Sequence, residues 1–238
     1  MIGRLVAAAL LGGVVLATSN ASAGQVEVIA LGGFNGLARL ERNGTPRSGI
    51  VLVPGGDGVI GLSQDGSIRY RGNQLVRTQG AYANAGLAAL VIDQGVSLGA
   101  AVAALRQRGV KKVTLAGTSR GTMRIAEQIG RLSGAERPDA VVFTAGFYDR
   151  DGGNENVQEF IGSPNALPPT MIVHHRYDGC QVTPPVGVAQ FTKWAGGKAR
   201  IVWLSGGTTK GNPCEAQSYH GFLGLDGQVV ATVAGFAR

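Results

Sequence analysis

Six short stretches of the chain are apolar, five of them without interruption: residues 50–53, 87–92, 113–116 (broken only by Thr114), 140–143, 171–173 and 201–204. Strands of an exposed sheet alternate apolar and polar positions, whereas strands covered on both faces do not. These runs therefore predict a buried, mostly parallel sheet. Between them the apolar spacing changes to i, i+3, i+4, i+7, the period of one helix face. Leu98, Ala101, Val102 and Leu105 follow it, with Ser97 as N-cap and Gly109 as stop. Ile125, Ile129 and Leu132 repeat it, as do Val188, Phe191 and Ala195, and finally Val229, Val233 and Phe236. Residues 26–31 and 37–40, joined by the glycine-rich stretch 32–36, predict an antiparallel hairpin at the sheet edge. Strands alternating with helices give a single α/β domain, helices on both faces, with right-handed crossovers. No internal repeat, low-complexity tract or linker interrupts it.

The first residues follow a different pattern. Arg4 precedes an apolar and glycine run from Leu5 to Ala17, and Ala21-Ser22-Ala23 is a small-residue cleavage site. This predicts a secretory signal peptide over 1–23 and a mature domain over 24–238. The run is shorter than the roughly 20 residues of a membrane span. Localisation is expected to be secreted or periplasmic, with no stable membrane anchor after cleavage. An oxidising compartment gives the two cysteines, Cys180 and Cys214, a reason to pair as a disulfide. Formal net charge is +7, about +6 without Arg4, and the basic residues are scattered. Scattered charge without a nucleic-acid motif argues for solubility and against nucleic acid as a partner.

Gly117-Thr118-Ser119-Arg120-Gly121 lies directly between a strand-like run and a helix-like run. Glycine makes up 39 of the 238 residues. Gly-x-Ser-x-Gly would arise roughly 0.3 times by chance in such a chain, so the strand–turn–helix context carries the weight. A serine hydroxyl needs a base to become a nucleophile. The histidines are His174, His175 and His220. His220 lies in a loop after the last strand, whereas His174 and His175 end an earlier strand and are read as structural. Asp178 follows the strand before the last; Asp149 and Asp151 are rivals for the acid. The order Ser, Asp, His is that of the α/β-hydrolases. A Cys180–Cys214 bond would tie the Asp178 loop to the His220 loop.

An oxyanion hole takes two backbone N–H donors. Arg120 follows the serine, and Gly56 lies in the loop after the first parallel strand, so these are the candidates. That loop also contains Gly56-x-Gly58-x-x-Gly61, a dinucleotide-like pattern. It fails in context, because no helix signal follows and Asp93 is too far on to serve as the ribose-binding acid. No zinc-type His or Cys spacing occurs, so neither a cofactor nor a metal is expected.

These residues resemble the α/β-hydrolase superfamily over nearly the whole mature chain, in particular its small bacterial dienelactone-hydrolase-like and esterase-like members. The resemblance implies Ser119 as nucleophile, His220 as base and Asp178 as acid. Pro54 stands where many relatives carry a histidine before Gly-Gly. The interval between the strands at 143 and 171 is too short for a helical lid domain. The expected activity is hydrolysis of small-molecule or surface-presented carboxylic esters. Amidase, thioesterase or peptidase activity would use the same triad, and a non-catalytic binding protein could share the scaffold. Nothing in the sequence bears on oligomeric state.

Overall fold

The structure, a computed structural model, describes residues 24–32, 36–149 and 155–238. The signal-peptide expectation, Asp151 and the tip of the first hairpin lie outside these residues.

The chain runs β1 (Gln25–Ala30), β2 (Leu37–Arg42), β3 (Ser48–Val53), α1 (Gln74–Arg77), α2 (Gln79–Asn84), β4 (Ala88–Ile92), α3 (Leu98–Gln107), β5 (Lys112–Thr118) and α4 (Arg120–Ile129). It continues with β6 (Ala140–Thr144), α5 (Val157–Ile161), β7 (Thr170–His175), α6 (Val186–Ala195), β8 (Ala199–Leu204) and α7 (Asp226–Ala237). The eight strands form one sheet in the order β1-β2-β4-β3-β5-β6-β7-β8. β1 and β2 are antiparallel to each other, and β2 is antiparallel to β4. All other pairs are parallel.

The uninterrupted apolar runs have the cause expected of them. On β3, Val51 and Val53 face one hydrophobic layer while Ile50 and Leu52 face the other. The first layer is completed by Val102 and Leu105 of α3, Ile125 of α4 and Phe191 of α6. The second is completed by Leu75 of α1, Tyr82 of α2 and Val229 and Val233 of α7. Ser97 caps α3 through the Ala100 N–H as predicted. The third position predicted for this helix, Leu132, falls beyond α4, which ends at Ile129 against Gly130; its side chain is nevertheless buried in the core. His174 and His175 are the last two residues of β7, the strand end at which the sequence places them.

The topology decides where a site can form. β5 sits in the middle of the sheet, and neighbouring crossovers leave its carboxyl end flanked by the loops after β3, β7 and β8. Residues 54–73, between β3 and α1, make one of the two long excursions, the other being 205–225 after β8. The first folds back as a tight hairpin, with a bridge between Leu62 and Ile68.

Candidate functional site

Ser119 lies at the turn from β5 into α4 and has φ 52° and ψ −126°, a strained conformation for a residue with a side chain. The turn is held by the Ser119 N–H donating to Thr144 O at 3.0 Å and by Thr122 donating through N–H and hydroxyl to Ser119 O. The flanking glycines are a packing requirement. A Cβ on Gly121 would run into Val53 O, and one on Gly117 would lie 2.7 Å from Gly121 O. The half-buried serine therefore stands at the N-terminus of α4, where backbone N–H groups and the helix dipole favour negative charge.

Asp178 and His220 converge from loops 42 residues apart. His220 Nδ1 lies 3.0 Å from Asp178 Oδ2, and both side chains are buried. The other carboxylate oxygen, Oδ1, accepts the Cys180 N–H at 2.9 Å. His220 Nε2 is left without a hydrogen-bond partner among the described residues, in a residue that lines the same cavity as Ser119. The cavity has a volume of about 580 Å³. Its floor includes Gly55 and Gly56 as well as Ser119 and His220. A Cβ on Gly55 would sit 3.0 Å from Ser119 Cβ, so only a bare backbone approaches the serine this closely. Arg120 opens α4, so its N–H has no acceptor within the helix. Its side chain turns away, to a cation–π contact with Phe147 at 6.0 Å.

The sulfurs of Cys180 and Cys214 are bonded, with Cα atoms 4.5 Å apart. The bond links the acid loop to the segment before His220, and Cys214 itself lines the cavity. His175 reinforces the same junction. Its Nε2 donates to Gly206 O at 3.1 Å, its Nδ1 accepts the Tyr177 N–H at 3.1 Å, and its ring stacks on Tyr219 with centroids 4.4 Å apart. His174 is fully buried beneath the pair. Its Nε2 donates to Thr183 O at 3.2 Å and lies 3.6 Å from Asp178 Oδ2. Burial pushes its pKa down to about 4, against the partial opposition of the Asp178 charge.

Three supporting groups carry no sequence signal that singles them out. Thr183 places its hydroxyl 3.2 Å from Asp178 Oδ2 and 3.0 Å from His220 Nδ1, bridging the pair. Arg77 of α1 grips the His220 loop through Gly221 O at 2.7 Å and the Asp226 carboxylate at 2.8 Å. Asp93, at the end of β4, accepts the Ile60 and Leu62 N–H groups at 2.8 Å each and so pins the loop that carries Gly56. Asp149 lies in the segment after β6, while the carboxylate bonded to His220 is that of Asp178.

The overall fold is shared with solved structures of low sequence identity. The esterase domain of a Rhodothermus marinus protein matches with TM-score 0.57 at 15% identity, covering 89% of this chain and 99% of that one. Dienelactone hydrolase from Anabaena variabilis matches with TM-score 0.58 at 16% identity, covering 90% and 96%. The chain has the α/β-hydrolase fold. An α/β serine hydrolase homologue from Coxiella burnetii matches with TM-score 0.58 at 17% identity, covering 90% and 97%. No protein-family model matches the sequence, and no curated protein is similar to it. Within the α/β-hydrolase fold, β5, its turn and α4 form the central strand–turn–helix, and the β3 loop supplies the wall across from His220. Among the described residues, no group of three or more His, Cys, Asp or Glu side chains could hold a metal ion.

Proposed function

We propose that this protein is a serine hydrolase that cleaves carboxylic esters through an acyl-enzyme. One observation carries the reading. His220 is anchored through Nδ1 to Asp178 at 3.0 Å, which leaves Nε2 as the unpartnered nitrogen of a residue that lines the same cavity as Ser119. That is the orientation a general base requires. His220 takes the proton as Ser119 Oγ attacks the ester carbonyl. The N–H groups of Arg120 and Gly56 receive the charge on the carbonyl oxygen. The bond to the alcohol then breaks, and His220 returns the proton to the leaving oxygen. Water enters, gives a proton to His220 and attacks the acyl carbon. The acid departs as Ser119 recovers its hydrogen. Ester and water become acid and alcohol.

The cavity volume supports small esters. The segment between β6 and β7 contributes only the five-residue α5 and a single 3-10 turn, Pro164–Ala166, among the described residues, which supports a site without a helical lid. We further propose that residues 1–23 act as an export signal and that the protein works outside the cytoplasm, a setting that suits its disulfide. The test is turnover of 4-nitrophenyl acetate and butyrate by the wild type and by Ser119→Ala. The substitution should lower kcat/KM by at least ~10³-fold with an unchanged circular dichroism spectrum. Retained turnover in Ser119→Ala would overturn the proposal.

A further inference from the structure

One turn into α4, Arg124 stands four residues after Arg120 and so on the same face of the helix. Both residues line a second cavity, of about 430 Å³, together with Gly56 and Asp57. Gly56 also lines the Ser119 cavity, so the turn at 55–58 is a partition between the two. That turn is closed by the Gly58 N–H donating to Gly55 O at 3.2 Å. The Arg124 guanidinium lies against Gly58 from the second cavity. A Cβ on Gly58 would run into Arg124 Nη1 and lie 2.9 Å from Cζ.

The guanidinium is held there without a partner. Nη1 is shut off from solvent and makes no hydrogen bond, and no ion pair of Arg124 forms among the described residues. The carboxylates that face it are Glu127 on its own helix, Asp93 at the end of β4 and Asp57 on the turn. Glu155 lines the same cavity. Asp93 is taken up by the N–H groups of Ile60, Leu62 and Gln94, and Asp57 by that of Val59. Asp57 and Glu127 are exposed to water, which screens them. Burial lowers the Arg124 pKa, opposed by the charges of Glu127, Asp93 and Asp57, and an arginine stays cationic at neutral pH. A half-buried charge that makes no bond costs stability, so its place in the fold calls for another use.

We propose that Arg124 is a positioning residue of the oxyanion hole: it backs the 55–58 turn, and its charge, standing behind the Gly56 and Arg120 N–H groups, stabilises the negative oxygen of the tetrahedral intermediate without touching it. The inference rests on the hydrolase reading and deepens it by adding a residue to that site. Attraction between charges reaches farther where protein replaces water. A neutral ester offers no net charge to attract, whereas the oxyanion does, so the effect falls on the transition state. A guanidinium already fixed in place needs no reorganisation as that charge develops.

The experiment compares the wild type with Arg124→Met, which keeps the length and removes the charge, and with Arg124→Lys, which keeps the charge. With 4-nitrophenyl butyrate, kcat should fall about tenfold in Arg124→Met, the scale of a unit charge acting over about 10 Å through protein, with little change in KM. Phenylboronic acid forms an anionic tetrahedral adduct on a nucleophilic serine, so its Ki should rise by a like factor. The melting temperature should stay the same or rise, because an unpaired charge has given way to an apolar side chain. Arg124→Lys should recover most of kcat and of the boronate affinity. A merely structural role would instead lower kcat and melting temperature together. The inference is overturned if Arg124→Met keeps the wild-type kcat, if its melting temperature falls along with kcat, if the boronate affinity does not follow kcat, or if lysine restores neither. In each of these cases ester turnover by the wild type leaves the hydrolase reading standing. If the wild type cleaves no ester, both fall together.

Discussion

At the scale of single residues, the site depends on groups that never touch the substrate. Thr183 is fully buried and stands between Asp178 Oδ2 and His220 Nδ1. Replacing it with valine keeps the volume and removes the bridging hydroxyl, leaving the pair to be oriented by one bond. Thr183→Val should lower kcat about tenfold to hundredfold with little change in KM, and Thr183→Ser should restore most of it. A change confined to KM would show that Thr183 does not act through His220. His174 makes a prediction of another kind. Its folded pKa of about 4 lies below the ordinary imidazole value, so the unfolded chain binds the proton more readily. Stability is therefore fully present above about pH 6.5 and lost as pH falls from there to about 4. The loss through this one group is on the order of 3 kcal/mol. Urea unfolding at pH 7 and pH 4.5 should show the midpoint falling in the wild type and falling less in His174→Gln. Ser119, Asp178 and His220 stand out in the sequence because Ser119 sits in a Gly-x-Ser-x-Gly turn, His220 is one of three histidines, and Asp178 falls between them in chain order just after a strand. Thr183 and Asp93 do not, since one threonine and one aspartate among many carry no mark of the bonds they make.

At the scale of elements, the central strands are legible because burial on both faces keeps their middle positions almost entirely apolar. The long helices are legible because ten or more residues show a period. α1 and α2 escape such a reading, having four and six residues. α5, with five, escapes it too. Their sequences complete too few turns to reveal an apolar face. The hairpin within residues 54–73 is equally silent, because its order comes from the Asp93 carboxylate and main-chain bonds rather than from side-chain periodicity. The Cys180–Cys214 bond acts at this scale as well. It closes a loop across a sequence separation of 34 residues and joins the two segments that hold Asp178 and His220. Cys180→Ala with Cys214→Ala should cost about 3.5–4 kcal/mol of stability by loop entropy, and should lower kcat because both loops gain freedom. Equal kcat in the double variant would show that the loops are positioned by Arg77, Thr183 and His175 alone.

For the whole molecule, one sheet with two hydrophobic layers places every loop that bears a candidate group at the same end. The antiparallel β1–β2 hairpin covers one edge, and none of its described residues lines the cavity. Among the described residues no helix is long and apolar enough to cross a membrane. The scaffold therefore leaves β5 and its turn as the centre of any chemistry, and the account stands or falls on whether Ser119 is a nucleophile activated by His220. The most direct measurement is covalent labelling of the native protein with a fluorophosphonate, followed by peptide mass spectrometry. The account predicts a single adduct on Ser119, formed rapidly in the wild type, slowed by orders of magnitude in His220→Ala and absent in Ser119→Ala. No adduct on the folded protein, or an adduct on another residue that forms as fast without His220, would contradict it.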